Sequence, residues 1–161
     1  MRVLVLLRGS AGCGKSTWVK ENGLERYTLS PNTIRKMCQS PELQADGTLG
    51  FSQSRDDTAW KILFRILETR MRRGEFTVID AVNAKSSEMT RYKEMCSVYR
   101  YRIFYIDFTS IPIEEVKRRN AGRELLKRIP DSSIEKAYSR FTTQGVPSGI
   151  KVIKPEELDS I

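Results

Sequence analysis

The segment Gly9-Ser10-Ala11-Gly12-Cys13-Gly14-Lys15-Ser16 satisfies the pattern G-x-x-x-x-G-K-[ST] at every fixed position. It lies between an apolar run, Val3 to Leu7, and a helical pattern, Lys15 to Glu21. Its chemistry is phosphate binding. Glycines let the backbone curl so that successive N–H groups face a phosphate, Lys15 reaches the β- and γ-oxygens, and the Ser16 hydroxyl ligates magnesium. The expected ligand is ATP or another nucleoside triphosphate with Mg2+, held by Gly9 to Ser16 together with Thr17. A second candidate is Asp80, which ends the apolar run Phe76 to Ile79. A carboxylate there is able to hold an arginine in position or to ligate water on magnesium, and the sequence does not choose between these roles or an ordinary strand-ending acid.

The remaining inventory narrows the chemistry. The chain has no histidine, so a general base must be a carboxylate, a lysine or a water, and histidine triads and histidine metal sites are excluded. Three widely spaced cysteines, Cys13, Cys38 and Cys96, form neither a disulfide framework nor a zinc pattern and are expected as free thiols. Lys and Arg number 28 against 20 Asp and Glu, a net charge of +8 that draws polyanions and phosphorylated substrates. The longest apolar run near the start is too short to span a bilayer and carries no cleavage site of a signal peptide, so the expected compartment is the cytoplasm, with no membrane partner.

These residues need a scaffold, and the 161-residue chain is long enough for one continuous core. Buried strands are expected at Val3 to Leu7, Tyr27 to Leu29, Phe76 to Ile79, Arg102 to Ile106 and Ile150 to Ile153. Helices are expected at Lys15 to Glu21, Asn32 to Cys38, Asp56 to Arg72, Ser87 to Tyr99, Ile113 to Asn120 and Ser132 to Thr142. Their alternation predicts a single α/β domain over residues 1–161, and together with the Gly9 to Ser16 motif it resembles the P-loop NTPase, adenylate-kinase-like type. It would have a parallel sheet of four or five strands flanked by helices, with ligands outside the carboxyl ends of the strands. Gln39 to Ser54, rich in Gly, Ser, Pro and Asp, is expected as a long loop that moves at a substrate entrance. Pro155-Glu156-Glu157-Leu158 resembles the opening turn of a helix, which gives the expectation of one domain within a longer polypeptide.

Four segments together resemble the 5′-polynucleotide kinases of nucleic-acid repair, in particular the kinase domain of bacterial and phage polynucleotide kinase-phosphatases. They are Gly9 to Trp18, Leu29-Ser30-Pro31-Asn32-Thr33-Ile34-Arg35, Val78-Ile79-Asp80-Ala81-Val82-Asn83 and Arg119-Asn120-Ala121-Gly122-Arg123. The first is general to P-loop proteins; the other three discriminate more. The resemblance implies transfer of the γ-phosphate to the 5′-OH end of DNA or RNA, and a following phosphatase or end-joining domain would fit the family. It also implies that Arg35 clamps the 3′-phosphate of the terminal nucleotide and that Asp80 pairs with Arg35 and orients it. Arg123 and Arg119 would reach the transferred phosphoryl group from a lid. For Arg118, Lys127 and Arg128 a solvated helix end is the better reading.

The sequence departs from the family at Asn32, where the resemblance implies an Asp that accepts the proton of the attacking hydroxyl. Asn accepts a hydrogen bond but cannot take the proton. The favoured account is an Asp-to-Asn change that keeps substrate binding and slows turnover. Alternatively Asp46, Asp56 or Asp57 fills the role, or Asn32 is a plain polar residue in the first helical turn after Ser30 and Pro31. Rival activities are a kinase for a small-molecule hydroxyl and a nucleotide-dependent binding module without catalysis. Acceptor contacts are expected from Asn83, with Lys85 and Arg91 as candidates that solvation explains as well. Phe51, Trp60 and Tyr92 are candidates for stacking on a base, although Trp60 falls in an apolar helical stripe and is read as core. The loop Gln144 to Gly149 is expected near the nucleobase by analogy of fold.

Overall fold

The computed structural model describes residues 1–52 and 56–161, with the side chains of Asp56 and Ser160 outside the description. Its centre is β1 (Val3–Arg8), in which all six residues are buried. Alternation along β1 sends Leu4 and Leu6 into the core on one face of the sheet and Val3, Val5 and Leu7 into the core on the other. A strand buried on both faces is apolar over most of its length, which is why Val3 to Leu7 lacks the polar alternation of a surface strand; the buried Arg8 comes only at its end.

From β1 the chain passes through α1 (Lys15–Glu21) to β2 (Thr28–Leu29) and α2 (Pro31–Cys38). A hairpin of β3 (Glu42–Leu43) and β4 (Leu49–Gly50) precedes α3 (Asp56–Arg73), and β5 (Thr77–Asp80) leads into α4 (Ser86–Tyr99). There follow β6 (Arg102–Asp107), α5 (Ile113–Ala121), a 3-10 turn at Leu125–Lys127, α6 (Asp131–Thr143) and β7 (Lys151–Ile153). The main sheet has five strands in the order β2-β5-β1-β6-β7, and every pairing is parallel. The connection from β5 to β6 crosses over β1, which opens a crevice at the carboxyl ends of the central strands. Those ends are aligned: Leu29 pairs with Ile79, Leu7 with Asp80 and Arg8 with Asp107. The register thus brings the residues that follow β2, β1 and β5 to one edge.

Two expectations change. Gln39 to Ser54 is not loop throughout, because Glu42 and Leu43 pair antiparallel with Gly50 and Leu49, while Gln53 and Ser54 lie outside the described residues. Asp46 accepts from the Thr48 backbone N–H (3.0 Å) and hydroxyl (2.6 Å), the side-chain turn chemistry that closes a hairpin. The segment Pro155–Ser160 forms 3-10 turns rather than the start of an α-helix. The Trp18 indole N–H donates to the Pro155 carbonyl (2.9 Å), and Leu158 and Ile161 pack on the core. Among the described residues no helix is long and apolar enough to cross a membrane.

Candidate active site

The glycine-rich loop occupies the tip of β1. Gly12 (φ 83°) and Gly14 (φ 101°) adopt the left-handed conformation, and Gly14 is the N-cap of α1. Gly9 is required for a different reason: a Cβ there would lie 2.6 Å from Cys13 Sγ and 2.8 Å from Phe108 Cβ. The Lys15 ammonium is buried, 7% exposed, and donates to the Gly9 carbonyl (2.6 Å) and the Ser10 carbonyl (3.0 Å). No ion pair engages it among the described residues, so a buried cation is held by two carbonyl oxygens and the Cys13 sulfur (3.8 Å). Such a group favours an anion, because burial raises the electrostatic value of a counter-charge.

The Ser16 hydroxyl donates to Asp80 Oδ2 at 2.7 Å. Two hard oxygen donors side by side at a helix N-terminus fit Mg2+, which takes one or two protein oxygens and completes its shell with water and phosphate. The residues therefore fit a magnesium nucleotide: Ser16 and Asp80 would offer oxygens to the metal and Lys15 would meet the phosphates.

On the other side of Asp80, α2 starts two residues after β2. Ser30 takes the N-cap position, Pro31 is the first helical residue, and Ile34 is buried against Ala59 and Leu63 of α3. Asn32 is exposed in this first turn, and its Oδ1 accepts from Arg35 Nη1 at 2.5 Å. The i, i+3 spacing places the two side chains on one face. Asp57 is exposed in the first turn of α3, Asp46 is engaged in its hairpin turn, and the Asp56 side chain lies outside the described residues.

The third wall is the lid between α5 and α6. Arg119 donates from Nε to Glu115 Oε1 (2.8 Å) and from Nη1 to the Cys13 carbonyl (3.4 Å), so its guanidinium lies on the phosphate loop. Burial lowers the pKa of Arg123, opposed by the nearby Asp80 and Cys13, and its Nη1 is buried without a partner among the described residues. A buried guanidinium N–H without an acceptor, close to Asp80, is a donor in wait of an anion. The neighbouring cations are otherwise engaged: Arg118 with Glu115 (2.7 Å), Lys127 with Glu124 (3.0 Å), and Arg128 with the Arg123 carbonyl (2.6 Å). The lid also touches the opposite wall, where its 3-10 turn packs against β4.

Several acceptor candidates are placed elsewhere than expected. Asn83 is buried and left-handed (φ 48°), and its amide donates to the Leu7 carbonyl (2.7 Å), so it ties the end of β5 to the end of β1 instead of facing a groove. Tyr92 is fully buried and packs at a tilt against Phe64, which removes it as a platform for a base. Trp60 packs against the core, as its stripe predicts, and Phe51 is half-buried. Lys85 stands at the N-cap of α4. Arg91 is exposed one and a half turns into α4, with its guanidinium 3.5 Å from the centre of the Phe64 ring. The loop from Gln144 is fastened along α4: Gln144 Oε1 accepts from the Ser86 N–H (2.9 Å), and Ser148 accepts from Lys93 (2.6 Å).

Two residues that sequence reasoning left without a role complete the frame. Arg8, 6% exposed, donates to the Gln144 carbonyl (2.7 Å) and lies over Phe141, joining β1 to the end of α6. Asn120, also buried, donates to the Ile129 carbonyl (2.7 Å) and accepts from the Ile129 N–H (3.1 Å), which staples the two ends of the lid. Asn120 stood within the lid motif; Arg8 carried only the signal of a charge at the end of an apolar strand.

Comparison with known proteins agrees with this architecture. The model of the AAA domain family AAA_33 matches residues 4–143. No curated protein sequence matches the chain. Among solved structures, a chain of the Pnkp1/Rnl/Hen1 RNA repair complex superposes with a TM-score of 0.69 at 22% identity, covering 87% of this chain and 44% of that one. A sugar kinase from Janibacter sp. HTCC2649 has a TM-score of 0.61 at 19% identity and covers 99% of this chain and 91% of its own. Kti12 from Chaetomium thermophilum in complex with ADP-AlF3 gives 0.58 at 13% identity over 94% and 88% of the two chains. At these identities the likeness is one of fold. The chain belongs to the AAA_33 family of AAA domains and has the fold of P-loop kinases.

Proposed function

We propose that this domain transfers the γ-phosphate of ATP or another nucleoside triphosphate to the 5′-hydroxyl end of DNA or RNA. The observation that carries the reading is the Asn32–Arg35 pair, which the β2–β5 register sets beside the Ser16–Asp80 pair. A guanidinium next to the transfer site suits a phosphate-bearing acceptor better than a neutral sugar, since its planar fork matches phosphate oxygens. The net charge of +8 favours the same class of acceptor.

In this reading Lys15 and the loop N–H groups hold the β- and γ-phosphates, and Arg35 holds the 3′-phosphate of the terminal nucleotide. Arg119 and Arg123 bring positive charge to the phosphoryl oxygens from the lid. Bound Mg2+ supplies charge neutralisation at the phosphate oxygens. The acceptor 5′-oxygen forms a bond to the γ-phosphorus as the β–γ bridging bond breaks and the nucleoside diphosphate leaves. The hydroxyl proton passes to solvent, because Asn32 holds the place of a base without being one.

The test is transfer of labelled γ-phosphate to a 5′-OH oligonucleotide, with a 5′-phosphorylated oligonucleotide and a panel of free sugars and nucleosides alongside. Labelling of the 5′-OH end, weakening with salt, supports the proposal; labelling of sugars alone overturns it. Asn32 also favours a second reading, a binding module that holds nucleotide and nucleic acid without reaction. That reading requires both ligands to bind and no transfer even when an acid is restored at position 32.

A further inference from the structure

Outside this site a groove of about 520 Å³ lies between α3 and α4. Its floor is apolar, made by Phe64, Met95 and Tyr99, and its rim carries Lys61, Arg65 and Arg91. A second hollow of about 350 Å³ continues it along α3, past Arg65 to Arg72 and Arg73. Resting on the proposed polynucleotide acceptor, we infer that this groove is the track for the strand downstream of the phosphorylated end, taking its phosphates on the basic rim and its bases on the apolar floor.

Charge decides for a polyanion. Five cations, Lys61, Arg65, Arg72, Arg73 and Arg91, face Glu68 and Glu94. Glu68 is already satisfied by Arg72 (2.9 Å), Arg65 (3.5 Å) and the Tyr99 hydroxyl (2.9 Å), interactions that lower its pKa. Lys61, Arg73 and Arg91 have no carboxylate partner among the described residues. The surplus of rim charge is therefore positive. The Arg91 guanidinium carbon sits 3.5 Å from the centre of the Phe64 ring, which itself packs on Trp60 and Tyr92, so a guanidinium is placed at the groove wall over an aromatic cluster. Unpaired bases stack on such planes and on aromatic floors without regard to sequence.

Position decides for the acceptor strand. The upper end of the groove, at Lys61 and Arg91, lies in the second turns of α3 and α4. The N-terminal part of α3, through Ala59 and Leu63, shares a core cluster with Ile34 of α2, the helix that carries Asn32 and Arg35, and α4 begins six residues after Asp80. From there α3 runs away from the site. The eleven helical steps from Lys61 to Arg72 cover about 16 Å, room for four or five nucleotides at about 3.4 Å each.

The experiment compares a 5′-OH dodecanucleotide with a nucleoside 3′-phosphate as acceptors, for the parent chain and for Lys61→Gln/Arg73→Gln. Both substituted side chains are exposed and have no carboxylate partner among the described residues, so the fold is expected to be retained. The expected result is a fall of about tenfold in kcat/KM for the long acceptor relative to the short one. The salt slope for dodecanucleotide binding, followed by fluorescence anisotropy, should become shallower by about one. An unchanged long-to-short ratio and an unchanged slope overturn the inference while leaving the kinase reading intact. If the parent chain neither labels nor binds the dodecanucleotide, the kinase reading falls and the track with it. If the variant instead loses binding to an acidic peptide while its handling of the oligonucleotide is unaltered, the groove serves a protein and the inference is wrong.

Discussion

Restoring an acid at position 32 is the most informative perturbation. In Asn32→Asp the new carboxylate is nearly isosteric with the amide, so one oxygen keeps the contact that Asn32 Oδ1 makes with Arg35 Nη1 at 2.5 Å. The other is left to take the proton of the acceptor hydroxyl. A positioned general base is worth about 10² to 10⁴ in rate. Here the neighbouring guanidinium favours the charged carboxylate and so makes it a weaker base, an effect that solvent screens because the pair is exposed. A weaker base places the gain near the bottom of that range, about 10² in kcat, equivalent to about 2.7 kcal/mol of barrier. KM for the acceptor should change little, since shape and the Arg35 contact persist. The pH dependence separates the two chains. With Asn32 the rate is expected to rise about tenfold per pH unit between pH 6 and 8, as proton loss to solvent limits it, whereas the Asp variant, already ionised, should be nearly flat. Rates are read from transfer of labelled γ-phosphate under single-turnover conditions. Equal kcat for both chains, or identical pH profiles, would refute the assignment of position 32.

Other consequences follow from the same geometry. Gly9→Ala places a Cβ 2.6 Å from Cys13 Sγ and 2.8 Å from Phe108 Cβ. Overpacking of this kind costs about 1–3 kcal/mol, a drop of roughly 3 to 10 °C in Tm by thermal melt, and Cys13→Ala in the same chain should return part of it. Lys15→Met removes the buried ammonium and should abolish detectable phosphoryl transfer while the circular dichroism spectrum stays unchanged. Glu115 is held at a pKa of about 2 by hydrogen bonds from Arg118 and Arg119. Because that value is depressed, its contribution is complete above the ordinary glutamate range and is lost as pH falls towards 2, so Glu115→Gln should show a shallower fall of Tm in acid. The groups are exposed and the effect is correspondingly small. Cys38 is exposed, whereas burial pushes the Cys96 thiol up to about 12; a chromogenic disulfide should therefore modify Cys38 in the folded protein and reach Cys96 only on unfolding.

What the sequence determined by itself is local. Strand and helix spans came from burial and spacing, so β1, α1, α3 and α4 fall within a residue or so of their expected bounds. The phosphate loop was legible because its glycines, Lys15 and Ser16 act within eight consecutive residues. The roles of Arg8 and Asn120, the inward turn of Asn83 and the pairing of Ser16 with Asp80 were not legible. Each depends on atoms brought together across long separations by the β2-β5-β1-β6-β7 order. Asn83 shows the difference: one polar residue after a strand reads as a ligand to substrate, yet the left-handed turn at φ 48° points its amide at the Leu7 carbonyl. The α3–α4 groove likewise belongs to tertiary structure alone. Its basic side chains are scattered through two helices and acquire a common direction only when those helices lie side by side on the sheet.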